Sequence, residues 1–109
     1  MPDKVKFKEI DFEVDESARY RGKVQWFNVK KGYGYINIDE SEYSIYVHNS
    51  DIAKNNPKKI KRSLDDDELV EFNIKKVQYM NKSINKLVLG HEAINVTGPN
   101  NNNVHGKII

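Results

Sequence analysis

From Gly22 to Thr97 the chain never sustains a helical period. Aromatic and β-branched residues come instead in short alternating runs, broken by Gly, Asn and Asp. A backbone of this texture has few options. Alternation sends successive side chains to opposite faces of a strand, and the breaks supply turns. The spacing predicts strands near 22–28, 33–39, 43–48, 68–79 and 84–97, with one helical turn near Ser50–Lys54. Five short strands in under 90 residues predict an all-β fold, a closed or nearly closed antiparallel barrel.

The connections carry their own signals. Residues 49–67 form a long link in which Pro57 blocks regular structure. It holds a basic run, Lys58, Lys59, Lys61 and Arg62, and then an acidic one, Asp65 to Glu68. Long loops in compact domains are often functional. Between strands four and five, Phe72, Ile74, Val77 and Tyr79 alternate outward and Leu87 and Leu89 alternate back. With Asn81-Lys82-Ser83 as the turn, residues 75–90 read as a two-stranded hairpin projecting beyond the barrel. Before the domain, Val5, Phe7, Ile10, Phe12 and Val14 alternate with charged residues. That pattern fits an extended arm or edge strand as well as a frayed tail. The chain therefore divides into an arm (1–18), a domain (19–98) and a polar extension (99–109).

Composition narrows the function. The 109 residues contain no cysteine, which excludes disulfides and thiolate metal sites. His48, His91 and His105 are far apart, so neither a metal nor another cofactor is expected. No apolar run is long enough for a transmembrane helix, and the charged N-terminus lacks the apolar core of a secretion signal. An intracellular protein without a membrane partner is the expectation. Residues 1–17 hold three lysines and six acids, a balance of −3, whereas the remaining fifteen basic and ten acidic groups give +5. A mildly basic body suits a polyanion. No catalytic set is visible, and no enzymatic activity is expected.

The informative residues are aromatic. In the second strand Tyr33 and Tyr35 fall on one face and Ile36 and Ile38 on the other. In the third, Tyr46 and His48 face outward while Ile45 and Val47 face inward. The core thus receives aliphatics, and the rings go outside. Unpaired bases stack on such rings at about 1–3 kcal/mol each, whereas a duplex has its bases already stacked. Gly32 and Gly34 read as spacers for a close approach to the rings. In the first strand, Trp26 and Phe27 share the aromatic face only if the strand bulges near Gln25, and that distortion is expected.

Lys31-Gly32-Tyr33-Gly34-Tyr35-Ile36 resembles the first ribonucleoprotein motif of cold-shock domains, and Ile45-Tyr46-Val47-His48 resembles the second. Trp26-Phe27-Asn28 is similar to the segment before them. Lys54 to Lys59, Arg62-Ser63, Val70-Glu71-Phe72, Asn95 to Pro99 and Val104-His105-Gly106 resemble the eukaryotic Y-box branch. The resemblance covers residues 20–106. It implies a five-stranded OB-type barrel that binds single-stranded RNA or DNA and acts as an RNA chaperone, mRNA-packaging protein or translational regulator. It places base stacking on Trp26, Tyr35, Tyr46 and His48, with Tyr33 and Phe27 flanking and Asn28 and Lys31 at polar contacts. Lys23 and Lys30, and Lys58, Lys59, Lys61 and Arg62 of the long link, are candidate phosphate contacts.

The chain departs from the family pattern where Gln25 replaces a usual Lys and Ser44 a common Asp. Tyr35 and Tyr46 replace Phe, and the 75–90 hairpin is much longer than usual. A second reading uses that hairpin and the N-terminal arm, through Phe7, Phe12, Tyr79 and Met80, to bind a protein partner or a second copy.

Overall fold

The computed structural model describes residues 12–59 and 61–107, without the side chains of Tyr79, Asn81 and Val88. Its strands are β1 (Tyr20–Asn28), β2 (Tyr33–Ile38), β3 (Ser44–His48), β4 (Leu69–Asn81) and β5 (Lys86–Thr97). Single 3₁₀ turns cover Asn49–Asp51 and Pro99–Asn101. The strands close into a barrel in the order β1-β2-β3-β5-β4, an OB-type all-β architecture. One seam differs from the antiparallel expectation: β3 and β5 run parallel, with Tyr46 opposite Glu92. The long 49–68 link carries the chain across the barrel before β4, so this pair needs no tight turn.

Alternation decides what fills the barrel. Ile36 and Ile38 of β2, Ile45 and Val47 of β3, and Phe72 and Ile74 of β4 point inward and are buried. In β1 the alternation breaks. The pairing runs Val24↔Ile36 and then Trp26↔Tyr35, leaving Gln25 as an extra residue. This bulge lies where the sequence placed it, but it acts differently. Plain alternation from Val24 would turn Trp26 inward and Phe27 outward. The inserted residue reverses both, so Phe27 enters the core at 3% exposure and Trp26 stays outside. Gly34 lies opposite Phe27, and a Cβ there would sit 2.2 Å from the Trp26 carbonyl oxygen and 2.9 Å from the Phe27 ring. The glycine makes room for the protein's own backbone and ring, not for a ligand. Gly32 has φ +81, which glycine adopts without strain, and its backbone bonds Asn28 and Asn49.

Each barrel end is stoppered by chain outside the strands. At one end Phe12 packs on Tyr43 and Tyr20, with centroids 5.4 and 6.3 Å away, and Val14 is buried. Residues 12–19 are therefore packed without forming a strand, while Val5, Phe7 and Ile10 lie outside the described residues. Arg19 secures this segment by donating to Asn73 Oδ1, the Asn95 carbonyl and Thr97 Oγ1. At the other end Ile52, Leu64 and Val104 are buried together with the core.

Residues 102–107 stitch the long link in place. The Val104 N–H donates to the Lys54 carbonyl. Asn56 Nδ2 donates to the His105 carbonyl, and the Lys107 N–H donates to Ser63 Oγ. Glu68 accepts from the N–H groups of Asp65, His105 and Gly106. Asp66 pairs with Lys107 at 2.8 Å. The acidic run thus organises the C-terminal segment.

β4 and β5 stay paired out to Asn81↔Lys86, forming the expected hairpin. Its turn falls at 82–85, slightly later than predicted, with Asn85 at φ +54. Asn tolerates that left-handed conformation. Alternating burial ends at Ile74, and Met80, Ile84, Leu87 and Leu89 are all exposed.

Candidate nucleic-acid interface

Three neighbouring strands bring five rings to one outer face. Trp26 of β1 lies opposite Tyr35 of β2, which lies opposite Tyr46 of β3, and Tyr33 faces His48. The Trp26 ring meets Tyr33 edge-on at 5.4 Å and Tyr35 at 5.5 Å. Tyr46 continues the sheet of rings, 5.8 Å from Tyr33 and 5.9 Å from Tyr35. Each of the five residues is half-buried; Tyr33 and Tyr46 are stacked, and the other ring pairs meet tilted or edge-on. Mutual contact holds the rings in place before any ligand arrives, which lowers the ordering cost of stacking on them.

Polar groups set the details. His48 Nδ1 accepts from the Ser50 N–H at 3.2 Å and lies 2.9 Å from Ser50 Oγ, so Nε2 is left as the donor of the neutral ring. Burial, and secondarily the Glu92 carboxylate, raises the Tyr46 phenol above its ordinary 10.0. Tyr46 is therefore a neutral ring at physiological pH. Beside Trp26, Asn37 Oδ1 accepts from Gln25 Nε2 and Ser44 Oγ. Ser44 is buried in that bond, which withdraws it from reading bases. The Trp26 Nε1 donor and the Gln25 Oε1 acceptor are buried without partners.

Next to the rings is a basic hollow of about 360 Å³. The β1–β2 turn supplies Lys30 and Lys31, the long link supplies Lys61 and Arg62, and Asn49 and Ser50 join them. Among the described residues no acid lines it. Asn28 shapes its wall, since its Oδ1 accepts from the Lys31 N–H and its carbonyl from the Gly32 N–H. Arg62 is braced by Nε donating to the Ile52 carbonyl, which leaves the far end of the guanidinium available. The hollow adjoins the aromatic face where Gly32 leads into Tyr33 and where Ser50 bonds the His48 ring; cations beside rings have the chemistry to take phosphates and unpaired bases.

A family model described as the 'Cold-shock' DNA-binding domain matches residues 20–99. The chain belongs to the cold-shock domain family. Among relatives, Y-box-binding protein 3 of Homo sapiens and Y-box-binding protein 1 of Xenopus laevis are each 42% identical over 91 residues, 84% of this chain. The chain spans only 22% and 27% of their lengths. The cold shock protein of Arthrobacter globiformis is 39% identical over 54 residues, which is 50% of this chain and 75% of that protein.

Within this cold-shock domain the predicted residues separate. The structure gathers Trp26, Tyr33, Tyr35, Tyr46 and His48, with Lys30, Lys31 and Arg62 alongside. Phe27 does not belong with them: the Gln25 bulge turns it into the core, where a base cannot reach its face. Asn28 acts as a turn former through its carbonyl and Oδ1. Lys23 is exposed on β1 beyond the bulge, opposite Asn37. Lys58 and Lys59 follow the Asn56 turn and lie outside the hollow, Lys59 near Gly106. Sequence reasoning did not find the part of Asn49 and Ser50, which carry no charge or ring to flag them. The orphaned Trp26 Nε1 was also invisible, because its burial follows from tertiary packing and not from the local pattern.

Proposed function

We propose that this domain binds single-stranded nucleic acid, mainly RNA, by stacking bases on Trp26, Tyr33, Tyr35, Tyr46 and His48. Phosphates would be held by Lys30, Lys31, Lys61 and Arg62, with Lys23, Lys58 and Lys59 at the rim. The observation that carries this reading is a continuous ring surface that adjoins, through the His48–Ser50 bond, a hollow lined by four cations and, among the described residues, no acid. Rings already in mutual contact favour loose bases over a stacked duplex. Holding unpaired strands shifts folded RNA toward open forms by mass action, which is the chemistry of an RNA chaperone, and also serves mRNA packaging and translational control.

Trp26 is the single tryptophan, so its emission reports on the site directly. Titration with a single-stranded RNA should quench it, with affinity falling by about 0.7 log units per log unit of salt for each phosphate engaged. The same sequence as single-stranded DNA should bind more weakly, and as a duplex far more weakly. A flat emission with every strand, or equal response to duplex, refutes the reading.

A further inference from the structure

We propose that the outer part of the β4–β5 hairpin docks an extended protein segment in which apolar and acidic residues alternate. Cross-strand partners share a face, so the core face of Ile74↔Ala93 continues outward through Lys76↔His91 and Gln78↔Leu89 to Met80↔Leu87. Beyond the barrel no described element packs beneath that face, and Met80, Leu87 and Leu89 are 49, 64 and 65% exposed. Exposed aliphatics grouped on one face mark an interaction site.

The occupant follows from charge and from backbone. Lys76 lies within the strip, Lys82 in the turn beyond it and Lys75 and Lys86 on the other face of the same two strands, and no acid occurs from Lys75 through His91. Two copies packed through their hairpins would oppose like charges. The strip also lies on the opposite sheet face from the rings, and Glu92, beside Tyr46, puts a carboxylate between the rings and the hairpin on the ring face. A polyanion leaving the rings meets that charge, and aliphatics offer bases no stacking surface. A peptide is served better. β1 pairs with β4 only along Leu69–Phe72, and β3 with β5 only at Glu92 and Ala93, so both outer hairpin edges lack a strand neighbour among the described residues. Unpaired strand edges accept extended segments. The protein's own Glu16 already illustrates the fit: its carboxylate accepts from the outward Lys76 N–H at 3.2 Å.

The test uses the full chain, ¹⁵N-labelled, and a ten-residue peptide of alternating leucine and glutamate. Binding should shift the amides of Met80, Leu87 and Leu89, leave Trp26 emission unchanged, and weaken with salt. The triple variant Met80→Ser, Leu87→Ser, Leu89→Ser should lose at least about tenfold in affinity while still binding RNA through Trp26, which shows that it is folded. An alternating leucine–lysine peptide should not bind. The proposal is overturned if about 1 mM of the acidic peptide shifts none of these amides. It is overturned equally if RNA, and not the peptide, shifts them, or if sedimentation shows a dimer that the triple variant abolishes.

Discussion

Two adjacent rings in β1 should fail in opposite ways. Phe27 is 3% exposed and fills the core beside Gly34. Phe27→Ala removes most of a buried side chain and leaves a cavity that the closed barrel cannot fully collapse, a cost of about 3–5 kcal/mol. A domain of this size is stable by about 5–15 kcal/mol in all, and each kcal/mol moves the midpoint by about 4–8 °C. The variant should therefore melt at least about 12 °C lower, and where folded it should still bind. Trp26 is half-buried and meets Tyr33 edge-to-face and Tyr35 at a tilt. Trp26→Ala forfeits those two ring pairs, about 0.5–1.5 kcal/mol each, and leaves the core intact. It should weaken RNA binding by about 1–3 kcal/mol, about 5- to 150-fold. Thermal melts followed by circular dichroism, with anisotropy of a labelled RNA well below the midpoint, separate the two. The bulge argument is wrong if Phe27→Ala loses affinity without stability, or if Trp26→Ala loses stability without affinity.

Gly34→Ala should destabilise by about 3 kcal/mol or more, since its Cβ would overlap the Trp26 carbonyl oxygen across the β1–β2 pair; a denaturant midpoint unchanged from the parent would return Gly34 to a ligand-spacer role. Lys30→Ala with Lys61→Ala should flatten the log–log salt slope by up to about 1.4, the equivalent of two phosphate contacts, whereas Trp26→Ala should leave the slope alone. Ultraviolet titration of the phenols, with Tyr46→Phe to assign the signal, should find Tyr46 ionising above its ordinary 10.0. Since the raised value means the folded state holds its proton longer, that contribution to stability is whole below pH 10.0 and declines as pH rises beyond it. Glu92→Gln should bring the titration down only part of the way, because burial is the larger cause.

How far the sequence could be read followed the range of the forces involved. Alternation in β2 and β3 is local, and it placed Tyr33, Tyr35, Tyr46 and His48 outside and Ile36, Ile38, Ile45 and Val47 inside, as found. The hairpin was legible for the same reason. The position of the bulge could be inferred from a conflict between Val24 and Trp26, but its consequence for Phe27 could not. That depends on Gly34, seven residues away, leaving a hole of the right depth. The roles of Asp66 and Glu68 were hidden as well. Their partners Lys107, His105 and Gly106 are about forty residues distant, and no periodicity encodes such a bond. The hollow joins Lys30 and Lys31 to Lys61 and Arg62 only because the link folds back, so charge alone had marked Lys58 and Lys59 equally.

Gln25 is the supernumerary residue of β1, and shortening the strand by that one position would leave Gly22, Val24 and Phe27 on the inside and Trp26 on the outside. A tolerance map of the strand should consequently beat at intervals of two and then three, with side-chain size restricted at 22, 24 and 27. Any redesign that counts β1 as an unbroken zigzag will place grease under the solvent and charge beneath the wall.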